Sequence, residues 1–202
     1  HPPGFEMQTN LAAQLDRISL VNGVDVAQLA NRPEFSRLTA VHPDEMLRLE
    51  VPGRGGPIDH TSRVIDLICP FSKGQRALIV APAKAGKTMV LQSIAEGVSV
   101  NYPAAELLIL LVDERPEEVF EIEAAGVGEV VASSFDNPAA QHVAVAELLL
   151  ERARRRVEQG EDVVLIVDSL TRLARAYNTV EKGTGRTLSG GLDAQSLEKP
   201  KR

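Results

Sequence analysis

Uninterrupted runs of apolar residues recur along the chain from about residue 61 onward. The clearest are Leu107–Val112 and Val163–Val167, with a shorter run at Ala77–Val80 and a weaker one at Glu129–Ala132. Strands that are covered on both faces have continuous apolar runs, whereas half-exposed strands alternate. The four runs therefore predict buried strands.

The clearest helix is predicted after Asn137, because Asn suits an N-cap and Pro138 suits the first helical turn. Apolar residues then recur at three- and four-residue steps, which gives one buried face. These residues are Val143, Ala146, Leu150, Ala153 and Val157. Glu151 and Arg155 form a favourable pair on the solvent side, and Gly160 ends the helix. Strands that alternate with helices predict an α/β fold with a mainly parallel sheet.

Residues 1 to about 60 have a different pattern, because Pro and Gly interrupt them repeatedly. Such residues favour turns and linkers, and the densest cluster, at 52–57, is the predicted boundary. A strand near Gln14–Leu20 and a short helix around Asp25–Ala30 are expected. We predict that residues 1–60 are the tail of an upstream domain plus an irregular connector, and that residues 61–202 are the core. Because the sequence begins at His1, the natural start is expected further upstream.

The composition is that of a soluble globular protein, with 44% of the 202 residues hydrophobic and 25% charged. No apolar run approaches the roughly 20 residues that span a membrane, and no leader indicates secretion. The single cysteine, Cys69, lies in an apolar stretch and is expected to be a small buried hydrophobe. One Cys and four scattered His offer no metal-ligand spacing. A cytoplasmic location is the resulting expectation.

The charge balance limits how the chain could bind nucleic acid. Its net charge is −6, whereas proteins that bind nucleic acid through bulk charge are usually basic. Aromatic residues make up only 3%, fewer than a stacking platform for single strands normally has. Any nucleic-acid contact is therefore expected to be local, through a few loops.

The stretch Ala81–Thr88 ends in Gly-Lys-Thr and lies between a predicted strand and the helix-like stretch Met89–Val98. This is the pattern of a phosphate-binding P-loop, in which backbone N–H groups and a helix N-terminus attract phosphate oxygens. Gly86 would let the backbone approach closely, Lys87 would supply a charge to the β/γ-phosphates, and Thr88 could bind Mg²⁺. Because the usual first Gly is an Ala, an accidental Gly-Lys-Thr is the alternative.

Carboxylates follow two of the predicted strands. Asp168 comes directly after Val163–Val167, at the strand end where ligands bind in open α/β sheets. It could help to hold the Mg²⁺ that Thr88 also binds. The alternative is that Asp168 caps the next helix, Leu170–Ala176, and both roles could coexist.

The second acidic segment is Asp113–Glu118, in which Glu114 is the candidate base that orients an attacking water. Glu117 and Glu118 better suit the first turn of a helix, where acids are favoured by the helix dipole. Arg115 could neutralise phosphate charge or pair with a neighbouring Glu. A simple charged loop is the alternative for the whole segment.

Four separate stretches agree in order and spacing with one known family. They are Ala81–Thr88, Asp113–Val119, Gly128–Ser133 and Asp168–Asn178. They resemble the bacterial transcription termination factor Rho, in which an Ala in place of the first P-loop Gly is usual. A less specific likeness occurs upstream, at Phe35–Thr39 and His42–Glu45. The resemblance covers the chain from about residue 14 to its end.

The resemblance implies a RecA-like ATPase core, truncated at its C-terminus, preceded by the tail of an RNA-binding domain. It implies ATP and Mg²⁺ as cofactors, bound at the interfaces of a homo-hexamer in the complete protein. Hydrolysis would drive movement along single-stranded RNA in transcription termination. RNA polymerase-associated factors are expected as further partners, and no membrane.

Matched positions in this family also assign the site residues. The resemblance implies catalytic roles for Glu114, Lys87 and Arg115, and metal binding by Thr88 and Asp168. The full set expected at the nucleotide is Lys73, Gly74, Gln75, Arg76, Lys84, Ala85, Gly86, Lys87, Thr88, Met89 and Arg115. The segment Thr179–Gly191 matches the family's first pore loop, although a flexible surface loop is the alternative. RNA contacts are expected from Lys182, Arg186, Thr187 and Gly190.

The resemblance also implies that some parts lie outside this sequence. The second pore loop and an interface arginine finger would follow residue 202, and most of the RNA-binding module would precede residue 1. The chain by itself is therefore expected to be weakly active or inactive. The alternatives are another RecA-like ring ATPase and a nucleotide-binding module that does not hydrolyse ATP.

Overall fold

The computed structural model describes residues 20–21, 24–29, 32–40, 42–51, 60–82 and 84–180. The chain forms two compact units, His1–Leu38 and Thr39–Arg202. The first unit contains β1 (Leu20–Val21), β2 (Val24–Asp25), α1 (Val26–Leu29) and a 3-10 turn (Phe35–Arg37). The second contains β3 (Met46–Leu47), α2 (His60–Ile68), β4 (Phe71–Ser72), α3 (Lys87–Asn101), β5 (Glu106–Glu114), α4 (Pro116–Ala125), β6 (Glu129–Ser134), α5 (Ala139–Glu158), β7 (Val163–Asp168) and α6 (Leu170–Val180).

The helix predicted around Asp25–Ala30 is present as α1, and β1 pairs antiparallel with β2. The strand predicted near Gln14–Leu20 lies outside the described residues, except for Leu20. The predicted boundary at 52–57 also lies outside them. The division into residues 1–60 and 61–202 therefore stays a prediction.

Three of the predicted strands form one parallel sheet in the second unit, with the order β6-β5-β7. The central strand, β5, pairs with β6 from Leu108 to Glu114 and with β7 from Glu106 to Leu111. A helix follows each of the three strands, so α4 leads from β5 to β6 and α5 leads from β6 to β7. The predicted α/β class and parallel sheet are confirmed.

Both faces of the sheet are covered, as the continuous apolar runs of β5 predict. Side chains at alternate positions of β5 contribute to two separate hydrophobic clusters. The first cluster joins the sheet to α3 and α4, and its buried members include Ile94, Val98, Leu107, Ile109, Leu111, Ile122 and Ile166. The second joins the sheet to α5 and α6, and its buried members include Leu108, Leu110, Val112, Val143, Leu149, Leu173 and Tyr177.

The segment 46–50 is fixed to the C-terminal half of α3 and to α2. The Asp66 carboxylate of α2 accepts hydrogen bonds from the backbone N–H groups of Leu49 and Glu50 at 2.9–3.0 Å. Asn101 of α3 donates to the carbonyl of Glu50 at 3.1 Å. Leu49 is fully buried against α3, where a Cβ on Gly97 would lie 2.5 Å from the Leu49 carbonyl oxygen. Glycine at this position therefore allows the close approach.

The helix predicted after Asn137 is α5, but two details of the prediction are wrong. Asn137 is not its N-cap: the helix begins after Pro138, and the Asn137 amide instead donates to Ser133 Oγ at 3.4 Å. The fully buried position in its middle is Leu149 rather than Leu150. The pair between Glu151 and Arg155 is confirmed at 3.0 Å. So is the left-handed Gly160 beyond the helix end, with φ of 85°.

Two further predictions from apolar runs are wrong. Residues 77–80 form no strand, and Leu78 and Val80 are 70% and 84% exposed. A strand requires a hydrogen-bonded neighbour, and no described residue pairs with this segment. Cys69 is exposed, because the apolar stretch before it forms α2, whose residues Leu67 and Ile68 also face away from the core.

Candidate functional site

The loop Ala81–Thr88 has the backbone of a phosphate cradle. Gly86 has φ of 85° and immediately precedes α3, which begins at Lys87. Lys84 also has a positive φ, of 63°. Left-handed residues before a helix turn successive backbone N–H groups toward a common centre, and the first turn of a helix leaves its N–H groups without intrahelical acceptors. This geometry suits an anion at the start of α3.

The Lys87 ammonium group contacts the Asp168 carboxylate directly. Asp168 is the last residue of β7 and is 5% exposed. The next helix is capped by Ser169, whose Oγ accepts a hydrogen bond from the Arg172 N–H at 3.2 Å. Helix capping therefore does not explain the buried carboxylate, and its partner is the P-loop lysine.

Glu114 ends the neighbouring strand, where a β-bulge changes the direction of its side chain. The pairing of β5 with β6 shifts register between Val112 and Glu114, and the intervening Asp113 has φ of 59°. A bulge of this kind leaves one residue unpaired and reorients the residues that follow. Glu114 is 5% exposed, and its backbone carbonyl accepts from the Phe135 N–H at 3.3 Å.

The electrostatic environment of Glu114 combines burial with opposing charges. Burial and a hydrogen bond with Glu118 raise the pKa of Glu114 to about 7, and Asp168 adds to this, whereas the positive charge of Arg172 acts in the opposite direction. Glu114 Oε2 lies 3.1 Å from Arg172 Nη1. This approach is an ion pair without hydrogen-bond geometry, because Oε2 is buried and accepts no hydrogen bond from the described residues.

Arg172 was not assigned a role from the sequence, yet it contacts the acidic end of β5. It lies on α6, and its guanidinium group donates to the Asp113 carbonyl and contacts the Glu114 carboxylate. The sequence indicated this contact only weakly, because α4, β6, α5 and β7 lie between Glu114 and Arg172 along the chain. Only the pairing of β5 with β7 brings them together.

Most of the other predicted nucleotide residues lie on the P-loop side of the site. Lys84, Thr88, Met89 and Arg115 are all exposed. Arg115 immediately precedes α4, next to Glu114. These positions leave the side chains free to reach a ligand from solvent.

The turn Lys73–Arg76 lies at the opposite edge of the sheet within this chain. Lys73 Nζ pairs with Asp162 at 2.9 Å and with Glu45 at 2.8 Å. Asp162 immediately precedes β7, whereas Asp168 ends it, and six residues of strand span roughly 17 Å. Within one chain, these contacts place Lys73 away from Asp168.

The predicted RNA contacts, Lys182, Arg186, Thr187 and Gly190, lie outside the described residues. Within the described part, no helix is long and apolar enough to cross a membrane. The same part contains no group of three His, Cys, Asp or Glu side chains arranged around a metal ion.

A family model supports the identification of the loop. The model of the ATP synthase alpha/beta family, nucleotide-binding domain, matches residues 61–191. This range contains the P-loop and both acidic strand ends.

Curated relatives extend the match across nearly the whole chain, and all three cited here are named transcription termination factor Rho. The relative from Gemmatimonas aurantiaca is 61% identical over 91% of this chain and 25% of its own length. Those from Haemophilus influenzae and Mycobacterium tuberculosis are 56% and 52% identical, over 83% and 93% of this chain and 40% and 31% of their own lengths. The chain thus spans well under half of each, and the resemblance found in its motifs is confirmed.

Solved structures agree with the fold. A chain described as a prototypical ATPase from the type III secretion system of pathogenic bacteria matches with a TM-score of 0.64 and 27% identity, over 81% of this chain and 45% of that chain. The ATP synthase subunit NeqB from Nanoarcheaum equitans matches with a TM-score of 0.58 and 18% identity, over 80% and 40% of the two chains. The second likeness shows the fold alone.

Proposed function

This chain belongs to the ATP synthase alpha/beta family of nucleotide-binding domains, and we propose that it is the phosphate-binding part of an RNA-dependent ATPase that acts in transcription termination. In the complete protein, ATP hydrolysis would drive movement along single-stranded RNA. The names of the curated relatives support the task in transcription termination. Their greater length means that this activity belongs to the complete protein.

One observation carries the proposal: the P-loop lysine and both acidic strand ends lie at one edge of the sheet. Lys87 contacts Asp168, and Asp168 is close enough to Glu114 to raise the pKa of its carboxyl group. Parallel strands bring their carboxyl ends together, which is where ligands bind in open α/β sheets. A cation, a metal-binding carboxylate and a buried base are the groups that phosphoryl transfer to water requires.

The residues present fit ATP and Mg²⁺. The left-handed Gly86 and the start of α3 suit phosphate oxygens, and the exposed Lys84 and the half-buried Lys87 supply positive charge. Asp168 and the Thr88 hydroxyl offer oxygen ligands to Mg²⁺, which commonly binds one or two carboxylates plus substrate phosphates. The metal would neutralise charge on the phosphates.

Glu114 is proposed to accept a proton from the attacking water. Its Oε2 is buried, accepts no hydrogen bond from the described residues, and so retains capacity to accept one from water. A base is most effective when its pKa lies near the working pH, and the pKa of Glu114 is raised to about 7. Arg172 holds the carboxylate from the side of α6, and Arg115 is proposed to contact the nucleotide.

Further parts of the proposal concern the complete protein. We propose that RNA is contacted by Lys182, Arg186, Thr187 and Gly190, because two cations within a glycine-containing segment suit a phosphate backbone. A homo-hexamer in the cytoplasm, working with RNA polymerase-associated factors, completes it. We also propose that the turn Lys73–Arg76 contributes to a nucleotide site, with Lys73 itself acting across a subunit boundary, since it pairs with Asp162 at the other edge of the sheet.

The deciding experiment measures ATP hydrolysis by the complete protein with and without pyrimidine-rich single-stranded RNA. We expect hydrolysis that RNA stimulates strongly. Lys87→Ala should abolish ATP binding or turnover, whereas Glu114→Gln should keep ATP binding and lose hydrolysis. ATP binding would be measured separately with a fluorescent nucleotide analogue.

The outcomes separate the proposal from its alternatives. RNA-independent hydrolysis would favour another RecA-like ring ATPase, and binding without any hydrolysis would favour a regulatory nucleotide-binding module. Normal turnover by Lys87→Ala would remove the P-loop assignment, and retained hydrolysis by Glu114→Gln would assign the base to another residue. This chain alone should bind nucleotide but hydrolyse it weakly or not at all.

A further inference from the structure

A buried polar group that the proposed mechanism does not use lies behind the catalytic edge of the sheet. The Ser133 hydroxyl and His142 Nδ1 are 2.8 Å apart, and the two residues are 1% and 6% exposed. The Asn137 side-chain amide donates to the same hydroxyl at 3.4 Å. Burying polar groups costs free energy unless they are hydrogen-bonded. The three side chains therefore act as one unit, which we call the Ser133 network.

The Asn137 amide N–H donates to the Ser133 oxygen. Because a hydroxyl oxygen can accept two hydrogen bonds, the contact with Nδ1 of His142 can form in either imidazole tautomer. In one tautomer the hydroxyl donates to Nδ1, and in the other it accepts from Nδ1. In both, the position of Nδ1 rather than the size of the ring defines the contact.

The Ser133 network lies beside the bulge that orients Glu114. Ser133 is paired with Val112, the last regular position of β5 before the register shift, and the next pair joins Glu114 to Ser134. The turn after β6 then closes, with the Asn137 N–H donating to the Ser134 carbonyl at 3.0 Å. Within the same turn, Phe135 donates its N–H to the Glu114 carbonyl at 3.3 Å.

We propose that His142 is a positioning residue for Glu114, acting through Ser133 and the turn after β6; this rests on the proposed ATPase function. Helix α5 supplies a fixed imidazole, which holds Ser133 and Asn137, and these fix the turn that binds the Glu114 backbone. Catalytic groups are held in place by supporting hydrogen bonds of this kind. A displacement of 1 Å can cost a reaction about 100-fold.

The test compares two amides in place of the imidazole in the complete protein. In His142→Asn, the amide oxygen can occupy approximately the place of Nδ1 and accept from Ser133. In His142→Gln, the matched control, the amide lies one bond further out, toward the place of Nε2. We expect His142→Leu and His142→Gln to lower kcat for RNA-stimulated ATP hydrolysis about tenfold, and His142→Asn to restore most of it.

The Michaelis constant for ATP should change less than about twofold in all three variants. The reason is that the hydrogen bonds of the Ser133 network join Ser133, Asn137 and His142, which lie outside the P-loop. Ser133→Ala should lower kcat to a similar extent. The double variant Ser133→Ala/His142→Leu should lose no more than either single variant, because both changes break one network.

Each outcome decides a separate question. An equal loss of kcat in His142→Asn and His142→Gln would overturn the positioning role. A loss of kcat that only follows the folded fraction of protein, measured by thermal unfolding, would do the same and leave His142 with a structural role. Unchanged kcat in His142→Leu would also overturn it, while leaving the ATPase function intact. A wild-type protein that does not hydrolyse ATP would overturn both proposals, and Glu114→Gln supplies the reference for full loss.

Discussion

At the scale of single residues, opposing effects act on the pKa of the Glu114 carboxyl group. Burial and the hydrogen bond with Glu118 favour the protonated form, and Arg172 favours the ionised form. The folded protein therefore holds a proton on Glu114 at pH values where an unfolded chain has already released it. This difference links the stability of the fold to pH.

We predict that Glu114→Gln stabilises the chain at alkaline pH and has little effect at acidic pH. The pKa of Glu114 is raised from 4.5 to about 7 in the fold, so its ionisation cost grows as pH rises from 4.5 to about 7 and is constant above that. The melting temperature of Glu114→Gln should exceed that of the wild type by about 3 °C or more at about pH 8. Near about pH 4.5 the two should be equal.

Circular dichroism melts of the chain at both pH values would measure this difference. Glu117→Gln is the matched control, because Glu117 is an exposed carboxylate in the first turn of α4. Its effect on the melting temperature should not grow with pH. A constant difference for Glu114→Gln would contradict the account of a buried carboxyl group.

Arg172 should set the pH at which the proposed base becomes active. In the complete protein, kcat/KM for ATP should rise with pH with a midpoint near the Glu114 pKa, at about 7. Arg172→Gln removes the positive charge that lowers this pKa, so the midpoint should move to higher pH. Arg172→Lys keeps the charge, so its midpoint should stay closer to that of the wild type, although the lost guanidinium geometry lowers the rate.

A midpoint that moves to lower pH in Arg172→Gln would show that Arg172 does not stabilise the Glu114 carboxylate. Any residual hydrolysis by Glu114→Gln should show no such midpoint, because this variant has no carboxyl group to titrate at position 114. Rates measured with saturating RNA at each pH separate this effect from changes in RNA binding.

The sequence predicted which residue types meet at the site but not how they are held. Lys87, Asp168 and Glu114 could be placed because a P-loop and two strand ends have fixed positions in a parallel sheet. Arg172 and the bulge at Asp113 could not, since both depend on which strands are neighbours. Local residue spacing does not contain that information.

At the scale of elements, α3 joins the phosphate loop to the segment that precedes the core. Its first residue is Lys87, and its last, Asn101, donates to the backbone carbonyls of Arg48 and Glu50 at 2.8 and 3.1 Å. Tyr102, directly after α3, accepts from the Arg48 N–H at 2.8 Å. Part of the segment predicted to be an irregular connector is therefore firmly fixed, over residues 46–50, which the Pro- and Gly-rich composition of residues 1–60 did not indicate.

We predict that Gly97→Ala destabilises this arrangement, although Ala normally favours helices. The propensity gain is about 1 kcal/mol, but the new Cβ would lie 2.5 Å from the Leu49 carbonyl oxygen, which is backbone and cannot rotate away. The net loss should be on the order of 1–3 kcal/mol in urea unfolding. Val100→Ala, at an exposed position of the same helix, is the control and should be nearly neutral.

Increased stability of Gly97→Ala would mean that the connector does not pack on α3 as described.

The wrong predictions at this scale have a common cause. In residues 77–80 and in the stretch before Cys69, one isoleucine each (Ile79 and Ile65) packs against the first hydrophobic cluster, whereas most of the other apolar side chains are exposed. An apolar run predicts burial only where another element covers it.

At the scale of the whole second unit, the two edges of the sheet have different roles. The amino edge is held by charged pairs, in which Glu106 accepts from Arg152 and Arg156, each at 2.8 Å, and Lys73 joins Glu45 to Asp162. The carboxyl edge carries the two buried carboxylates of the site, Glu114 and Asp168.

The fold class was predictable because continuous strands and alternating helices allow few arrangements. The ion pairs at the amino edge were not predictable from the sequence.

The last prediction concerns how RNA would reach this edge. The segment Thr179–Gly191 continues from α6, the helix that carries Arg172 into the site. If its cations bind RNA, Arg186→Ala in the complete protein should lower RNA-stimulated ATP hydrolysis several-fold, with ATP binding and RNA-independent hydrolysis unchanged. The apparent RNA affinity should also depend less steeply on salt, by about one unit of slope. Arg175→Ala on α6 is the control, and an unchanged RNA response in Arg186→Ala would exclude this segment from RNA binding.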